Sequence, residues 1–204
     1  MNVRKHLLSP WAKPLLMLLL ALPALWLLYA AINDMLGANP AEALTRRTGD
    51  WTLRGLCVVL AVSPLRVISA TPALQRFRRI LGVATFTYGC LHMLCYAWFD
   101  QGLAIDDIAR DILKRPFIWL GFGGLVCMLP LALTSFNAAI RWLSPQRWQL
   151  LHRLVYAVAV LAVLHFCWMR AGKNNFAEVW VYAAILGGLM VWRVVHWRRH
   201  AKQS

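Results

Sequence analysis

Apolar residues dominate the chain in six separate runs, and each run is about long enough to cross a lipid bilayer. A membrane-spanning helix needs about 20 mostly apolar residues, and windows of that kind recur from residue 14 to residue 195. The predicted spans are 14–33, 51–68, 80–98, 116–134, 150–168 and 177–195. The pattern predicts an all-α membrane protein, a six-transmembrane helical bundle in which residues 1–204 form a single domain.

The first apolar run also allows a second interpretation. Arg4 and Lys5, the apolar run and the small residues ALPA would suit a secretory signal peptide. The run continues past Ala24 to Ile32, however, which is longer than a normal signal core. We therefore predict a retained helix that bends at Pro23, where proline removes a backbone hydrogen bond.

Composition and charge support the membrane class and set an orientation. Apolar residues make up 60% of the chain, whereas soluble domains contain roughly 45–50%. With six spans the two termini share one side, which carries 14 of the 22 lysines and arginines and none of the eight acids. The positive-inside rule then predicts that both termini are cytoplasmic. The basic residues border spans, where anionic headgroups lie, so the net charge of +14 does not indicate a nucleic-acid partner.

The cysteines give no sign of a metal cluster. All of them lie inside predicted spans without a C-x-x-C pair: Cys57, Cys90, Cys95, Cys127 and Cys167. Iron–sulfur clusters and structural zinc sites need clustered thiolates. We interpret these cysteines as small apolar packing residues.

Three histidines lie inside predicted spans, where an ionisable side chain is costly. His92 and His165 fall at matched depth in the outer halves of spans three and five. His152 lies near the cytoplasmic boundary of span five, about 19.5 Å from His165 along a helix. Facing imidazoles in a helical bundle can ligate heme iron. A single intramembrane histidine can also simply hydrogen-bond a neighbouring helix.

The spacing of His152 and His165 does not place them on one helix face. Thirteen positions at 100° each leave the two side chains about 140° apart around an ideal axis. Either the helix is locally rewound, as at a π-bulge, or two cofactors approach it from different sides. The spacing leaves both arrangements open.

Three stretches that carry these histidines resemble a known family. They are RFRRILGVATFTYGCLHMLCYAW, KRPFIWLGFGGLVCMLPLALTS and RWQLLHRLVYAVAVLAVLHFCW. They are similar to the MsrQ (formerly YedZ) family, within the ferric reductase-like transmembrane group whose distant relatives are the NADPH oxidases. The resemblance covers nearly the whole chain, including LLYAAIND and LGANPAEALTRRTGDW between spans one and two.

The resemblance implies a multi-pass electron-transfer subunit of the bacterial inner membrane. Such a subunit takes electrons from quinol or a cytoplasmic flavin reductase and passes them through one or two b-type hemes. Its partner in a heterodimer is a periplasmic molybdenum-cofactor methionine sulfoxide reductase, which catalyses the repair of oxidised periplasmic proteins. The positions that match the family's iron ligands are His92, His152 and His165. The family is also described as using FMN, but no residue pattern in this sequence locates a flavin.

The inner ligand set departs from the NADPH-oxidase pattern. Those relatives carry two histidines on each of two helices, whereas Arg78 and Arg79 stand 14 and 13 residues before His92 here. His152 therefore lacks a matching opposite ligand. A guanidinium is a poor iron ligand but suits a heme propionate, and both arginines also fit the positive-inside pattern.

The source of electrons is expected to lie outside the chain. The sequence stops nine residues after Val195 and contains no G-x-G-x-x-G fingerprint. The GFGG run at 121–124 is interpreted as close helix packing. Trp148 and Tyr156 flank His152 and could line an electron-entry site, although aromatic residues at a membrane boundary need no such role.

Two other functions remain open from the residues alone. A proton-coupled transporter could use the histidines as a relay, but it would need acidic partners within the spans. Every acid in the sequence lies in a loop or at a span boundary. A membrane scaffold would use the polar residues only to join helices. The connections 34–50 and 99–115 hold seven of the eight acids. We predict that they dock the partner, while the simpler interpretation makes them solvated connectors.

Overall fold

The computed structural model describes residues 3–172 and 174–201 and contains six helices long and apolar enough to cross a membrane. The α-helices are α1 (Val3–Leu8), α2 (Ala12–Ile32), α3 (Pro40–Ile68), α4 (Arg78–Cys95), α5 (Ile105–Lys114), α6 (Pro116–Leu133), α7 (Asn137–Leu143), α8 (Pro145–Leu151), α9 (Leu154–Ala171) and α10 (Ala177–Ala201). A 3₁₀ turn (Pro72–Phe77) precedes α4, and a π-helical turn (Tyr96–Asp100) follows it. The prediction of a six-span helical membrane protein is confirmed. Lys173 and Lys202, which were counted in the charge asymmetry, lie outside the described residues.

Helix α3 begins eleven residues before the second predicted span, 51–68. Asn39 caps it, because the Asn39 side-chain oxygen accepts a hydrogen bond from the Glu42 backbone N–H at 3.1 Å. Pro40 occupies the first turn, where its missing N–H costs nothing. The resulting helix of 29 residues is about 44 Å long, longer than a hydrocarbon core of about 30 Å. Much of the connection predicted at 34–50 is therefore helical, and hydropathy missed it because these turns are polar.

Span five is interrupted at one of the predicted site residues. Helix α8 ends at Leu151, a turn occupies His152 and Arg153, and α9 begins at Leu154. The ideal-helix projection of about 140° between His152 and His165 therefore does not apply. No π-bulge separates them. The π-helical turn of this chain lies instead at Tyr96–Asp100, after His92.

The core lies among α3, α6, α9 and α10. Helix α3 packs against α4, and α6 packs against α9. The buried side chains at their centre are Leu53, Leu56, Leu60, Met128, Val155, Val158, Ala159, Phe166, Val179 and Leu186. Four of these helices, α3, α4, α6 and α9, enclose the two cavities described below. We call the end with connections 34–50 and 99–115 the outer end, and the opposite end the inner end.

Helix α2 lies at the edge of the bundle, and a tyrosine of α4 hydrogen-bonds its backbone. Within α2 only Leu27 and Ala30 are buried. The Tyr88 hydroxyl of α4 donates to the Leu20 carbonyl at 2.7 Å and accepts from the Ala24 backbone N–H at 3.1 Å. Pro23 lies between these two groups, where it disturbs the helical hydrogen bonds. Leu20 and Ala24 are an ordinary i, i+4 pair of the helix, and the Tyr88 hydroxyl bridges their carbonyl and N–H beside the proline.

The connection 99–115, which the simpler interpretation of the sequence made a solvated connector, contains the ten-residue helix α5. Asp111 of α5 accepts hydrogen bonds from the Tyr96 hydroxyl at 2.7 Å and from the Gln101 amide at 3.0 Å. It also forms an ion pair with Arg115 at 2.8 Å. Asp111 thus fixes α5 to the end of α4. It is part of the fold and is not available as an open docking charge.

Candidate functional site

An outer cavity of about 380 Å³ lies between α3, α4, α6 and α9. His92 enters it from α4 and His165 from α9. The two ring centres are 6.0 Å apart, and the ring planes meet at 74°. The structure thus brings together the two histidines that the sequence places at matched depth.

Backbone carbonyls of facing helices fix both imidazoles. The Nδ1 atom of His92 lies 2.8 Å from the Thr45 carbonyl oxygen of α3. The Nδ1 atom of His165 lies 2.6 Å from the Phe117 carbonyl oxygen of α6. A carbonyl can only accept, so Nδ1 carries the proton in each ring. The lone pair is then left on Nε2, which is the form in which a neutral histidine ligates a metal.

Two glycines lie directly beside the two rings. A Cβ atom added at Gly49 of α3 would stand 3.1 Å from two ring atoms of His92. A Cβ added at Gly121 of α6 would stand 2.9 Å from two ring atoms of His165. Each histidine therefore occupies space that only a glycine on the facing helix leaves free. The predicted close helix packing of the 121–124 run fits Gly123 and Gly124 beside Leu161, whereas Gly121 leaves room for the His165 ring.

The donor set suits a metal that brings most of its own ligands. A zinc site uses three or four protein ligands. Among residues 3–172 and 174–201, no group of three or more His, Cys, Asp and Glu side chains is placed to hold a metal ion. Heme iron takes four nitrogens from its porphyrin and leaves axial positions for protein ligands. Two neutral imidazoles that line one apolar cavity fit that requirement.

Charged side chains surround the outer part of the cavity. Its lining includes Arg46 and Asp50 of α3 and Arg170 of α9. Arg46 pairs with Glu42, and Arg170 pairs with Glu178 of α10. Hydropathy and histidine spacing did not single out these residues. The Asn-Pro helix start at 39–40 was the available signal, since it places Arg46 and Asp50 on the same helix as the wall of the cavity.

A smaller inner cavity of about 250 Å³ contains His152. The His152 ring stacks on Trp148 with ring centres 3.8 Å apart. Its Nδ1 atom lies 3.0 Å from the Trp148 carbonyl oxygen, a group of the preceding turn. The described residues that line this cavity include no second histidine. His152 and His165 therefore belong to different cavities.

The structure gives Arg78 and Arg79 different surroundings, although both line the inner cavity. Arg79 is exposed, and its guanidinium donates to the Asn137 side-chain oxygen at 2.7 Å. Arg78 is half-buried at the start of α4. Of the two, Arg78 is the better placed to meet a negatively charged group inside the cavity.

One thin wall separates the two cavities. Leu56 of α3, Met128 of α6 and Val158 of α9 line both of them. All three are buried. Cofactors bound in the two cavities would thus be separated by a single layer of apolar side chains.

Comparisons with known proteins agree with this arrangement. The family model described as "Ferric reductase like transmembrane component" matches residues 48–163, which include His92 and His152 and end two residues before His165. A protein of Polaromonas naphthalenivorans named "Protein-methionine-sulfoxide reductase heme-binding subunit MsrQ" is 62% identical over 199 residues, covering 98% of this chain and 90% of that relative. Proteins of the same name from Azospira oryzae and Herminiimonas arsenicoxydans are 52% and 43% identical, covering 90% and 94% of this chain and 78% and 88% of the relatives.

No solved structure matches the chain. The relatives cover nearly all of it at high identity, and the family model covers α4, α6, most of α3 and the first half of α9. With its six membrane-spanning helices, the chain is a multi-pass membrane protein that belongs to the MsrQ family of ferric reductase-like transmembrane proteins.

Proposed function

We propose that this protein is a transmembrane electron-transfer subunit that binds b-type heme and serves a methionine sulfoxide reductase. Bound heme would supply a one-electron carrier inside the membrane. In this proposal electrons enter at the inner end from quinol or a cytoplasmic flavin reductase. They leave at the outer end to a periplasmic molybdenum-cofactor subunit, which reduces methionine sulfoxide in damaged proteins.

The observation that carries the proposal is the pairing of His92 and His165 in the outer cavity. Their Nδ1 atoms are held by the carbonyls of Thr45 and Phe117, so both Nε2 atoms are free to ligate. A ring held by a backbone carbonyl keeps its orientation and is a stronger ligand. The relatives are named as heme-binding subunits, which supports the same cofactor here.

A visible spectrum of the purified protein tests the proposal directly. We expect a Soret band and sharp α and β bands after reduction, with a low-spin paramagnetic resonance signal. His92→Ala and His165→Ala should each remove or severely disturb the outer heme, because one ligand remains. A colourless preparation from heme-supplied cells would contradict the proposal. So would a full complement of low-spin heme in both variants.

The inner cavity is proposed to hold a second heme on His152, with Arg78 and Arg79 near its propionates. The cavity supplies one imidazole and two guanidinium groups, and always-charged guanidinium groups suit carboxylates. His152→Ala should then lower the heme stoichiometry and leave the outer spectrum largely intact. If His152→Ala keeps the wild-type heme content, the protein carries one heme and His152 has another role. FMN is proposed only because of the family resemblance.

The orientation of the bundle is proposed from its charges, with both termini cytoplasmic. A reporter placed within 135–149 should then be cytoplasmic, and a reporter within 99–115 should be periplasmic. The reverse pattern would put the outer cavity on the cytoplasmic side. A matching reporter after Ser204 would lie outside the described residues but tests the same prediction.

A proton relay is the second candidate function, and one observation favours it. Asp50 lies in the third turn of α3 and lines the same cavity as His92 and His165. Both histidines, however, hydrogen-bond backbone carbonyls and not Asp50. The described lining of the inner cavity contains no acid that would continue a relay. Proton uptake by heme-free protein in vesicles would support the relay, and its absence from a red preparation would support electron transfer.

A further inference from the structure

Helix α5 has a sharply divided surface. At 100° per residue, its apolar side chains fill a continuous arc of about 140° and its charged side chains fill the opposite arc. The apolar arc contains Ile105, Ile108, Ala109, Ile112 and Leu113. The charged arc consists of Asp106, Asp107, Arg110, Asp111 and Lys114. A helix with this division and a length of only ten residues suits a boundary between an apolar phase and water.

Only one edge of the apolar arc packs against the protein. Ile108 and Ile112 are half-buried, and Asp111 beside them is held by Tyr96 and Gln101. Ile105, near the middle of the arc, and Leu113, at its other edge, are each 80% exposed. The hydrogen bonds of Asp111 therefore fix the rotation of α5 and leave its second apolar edge uncovered.

The chain holds α5 at the level where the membrane spans end. A four-residue turn separates it from Asp100 at the end of span three, and a single residue, Arg115, separates it from α6. Trp98 before it and Trp119 after it are 59% and 55% exposed. Tryptophans in such positions are typical of the interface between hydrocarbon and headgroups. The uncovered edge of α5 is thus next to exposed tryptophans at the ends of spans three and four.

We propose that α5 is an interfacial helix that lies in the lipid headgroup region at the outer end of the bundle. Ile105, Ala109 and Leu113 face the acyl chains, and Asp106, Asp107 and Arg110 face water. Lys114 and Arg110 reach lipid phosphates from the polar side. Lipid is the occupant because the short connections keep α5 against the ends of spans three and four. The inference does not depend on heme or on the direction of electron flow.

Spin labels on two sides of α5 test this placement. Leu113→Cys and Asp107→Cys are made in a chain whose native cysteines are replaced, and each is labelled with a nitroxide. The heme-loaded protein is placed in nanodiscs of phosphatidylethanolamine and phosphatidylglycerol. Accessibility is then measured to oxygen, which concentrates in lipid, and to a water-soluble nickel chelate. We expect the ratio of oxygen to nickel accessibility to be several-fold higher at residue 113 than at residue 107.

Ile105→Cys provides a second measurement on the exposed part of the apolar arc if the Leu113 variant does not fold. A label at 105 should behave like the label at 113. Equal nickel accessibility at residues 105, 113 and 107 would overturn the proposal, because the edge would then be open to water. Protection of residues 105 and 113 that appears only after a soluble reductase is added would also overturn it, since the edge would then be a protein docking surface.

Discussion

Gly121→Ala should weaken the outer cofactor site through a single added methyl group. The new Cβ would stand 2.9 Å from Cε1 and Nδ1 of His165 and 3.3 Å from Cγ. Ordinary contacts at such an atom begin at 3.4 Å, so the ring must withdraw by about 0.5 Å. That movement also stretches the 2.6 Å hydrogen bond to the Phe117 carbonyl, which belongs to the same turn of α6.

The expected loss follows from the cost of overpacking. Adding a methyl group to a well-packed site costs about 1–3 kcal/mol. The ligand-free protein can relieve this strain by turning the imidazole away, so most of it falls on the heme-bound state. Because about 1.4 kcal/mol corresponds to a factor of ten in affinity, heme affinity should fall roughly 5- to 140-fold.

The first measurement is the rate at which heme passes from the detergent-solubilised protein to an excess of a heme-scavenging globin. The second is the low-spin heme signal in paramagnetic resonance. Gly123→Ala is the matched control, because its Cβ would lie 4.0 Å from the nearest atom, a Leu161 methyl carbon. The control should release heme at the wild-type rate. If Gly121→Ala and Gly123→Ala release heme equally slowly and keep the same low-spin spectrum, then the contact between Gly121 and His165 does not support the cofactor site.

Three further predictions concern other contacts. Gly49→Ala should disturb His92 in the same manner but less severely, since its Cβ would stand 3.1 Å from the ring, and the same heme-release assay measures this. Tyr88→Phe removes the hydroxyl that bridges the Leu20 carbonyl and the Ala24 N–H, so it should cost about 0.5–1.5 kcal/mol of stability for each hydrogen bond lost. Thermal unfolding should then show a lower Tm than for the exposed control Tyr29→Phe. Joint neutralisation of Asp106 and Asp107 should slow electron delivery to the partner at low salt and have less effect at high salt, and an unchanged rate at low salt would exclude this edge of α5 from docking.

The sequence predicted the six spans and the meeting of two histidines because both follow from long, regular signals. An apolar run of bilayer length has few alternatives to a spanning helix. Depth along parallel helices placed His92 and His165 at one level, and the structure brings their rings to 6.0 Å. The departures are local. Asn39 and Pro40 start α3 within a polar segment, and the turn at His152 divides a run that hydropathy shows as continuous.

The supporting contacts of the site could not be predicted from one sequence. That Gly49 lies beside His92, and Gly121 beside His165, depends on how four helices are rotated and shifted against each other. Apolar patterns in a membrane protein do not define that rotation, because lipid and protein interior are similarly apolar. For the same reason the sequence counts Asp111 among the docking acids of the connection 99–115, whereas the structure places it among hydrogen-bond donors of the turns that follow α4.

The bridge from Tyr88 to α2 also has a consequence for biogenesis. The ribosome delivers α2 to the membrane before α4, so the groups beside Pro23 enter lipid while Tyr88 is still to be synthesised. Pro23 removes the helical donor of the Leu19 carbonyl and weakens the helix beside the Leu20–Ala24 pair that Tyr88 bridges, and an unsatisfied backbone group in hydrocarbon costs several kcal/mol. We therefore expect nascent α2 to stay in contact with the translocon or an insertase until α4 arrives, and to leave it later in a Tyr88→Phe chain. Site-specific crosslinking of stalled nascent chains of increasing length would show at which length the first span is released.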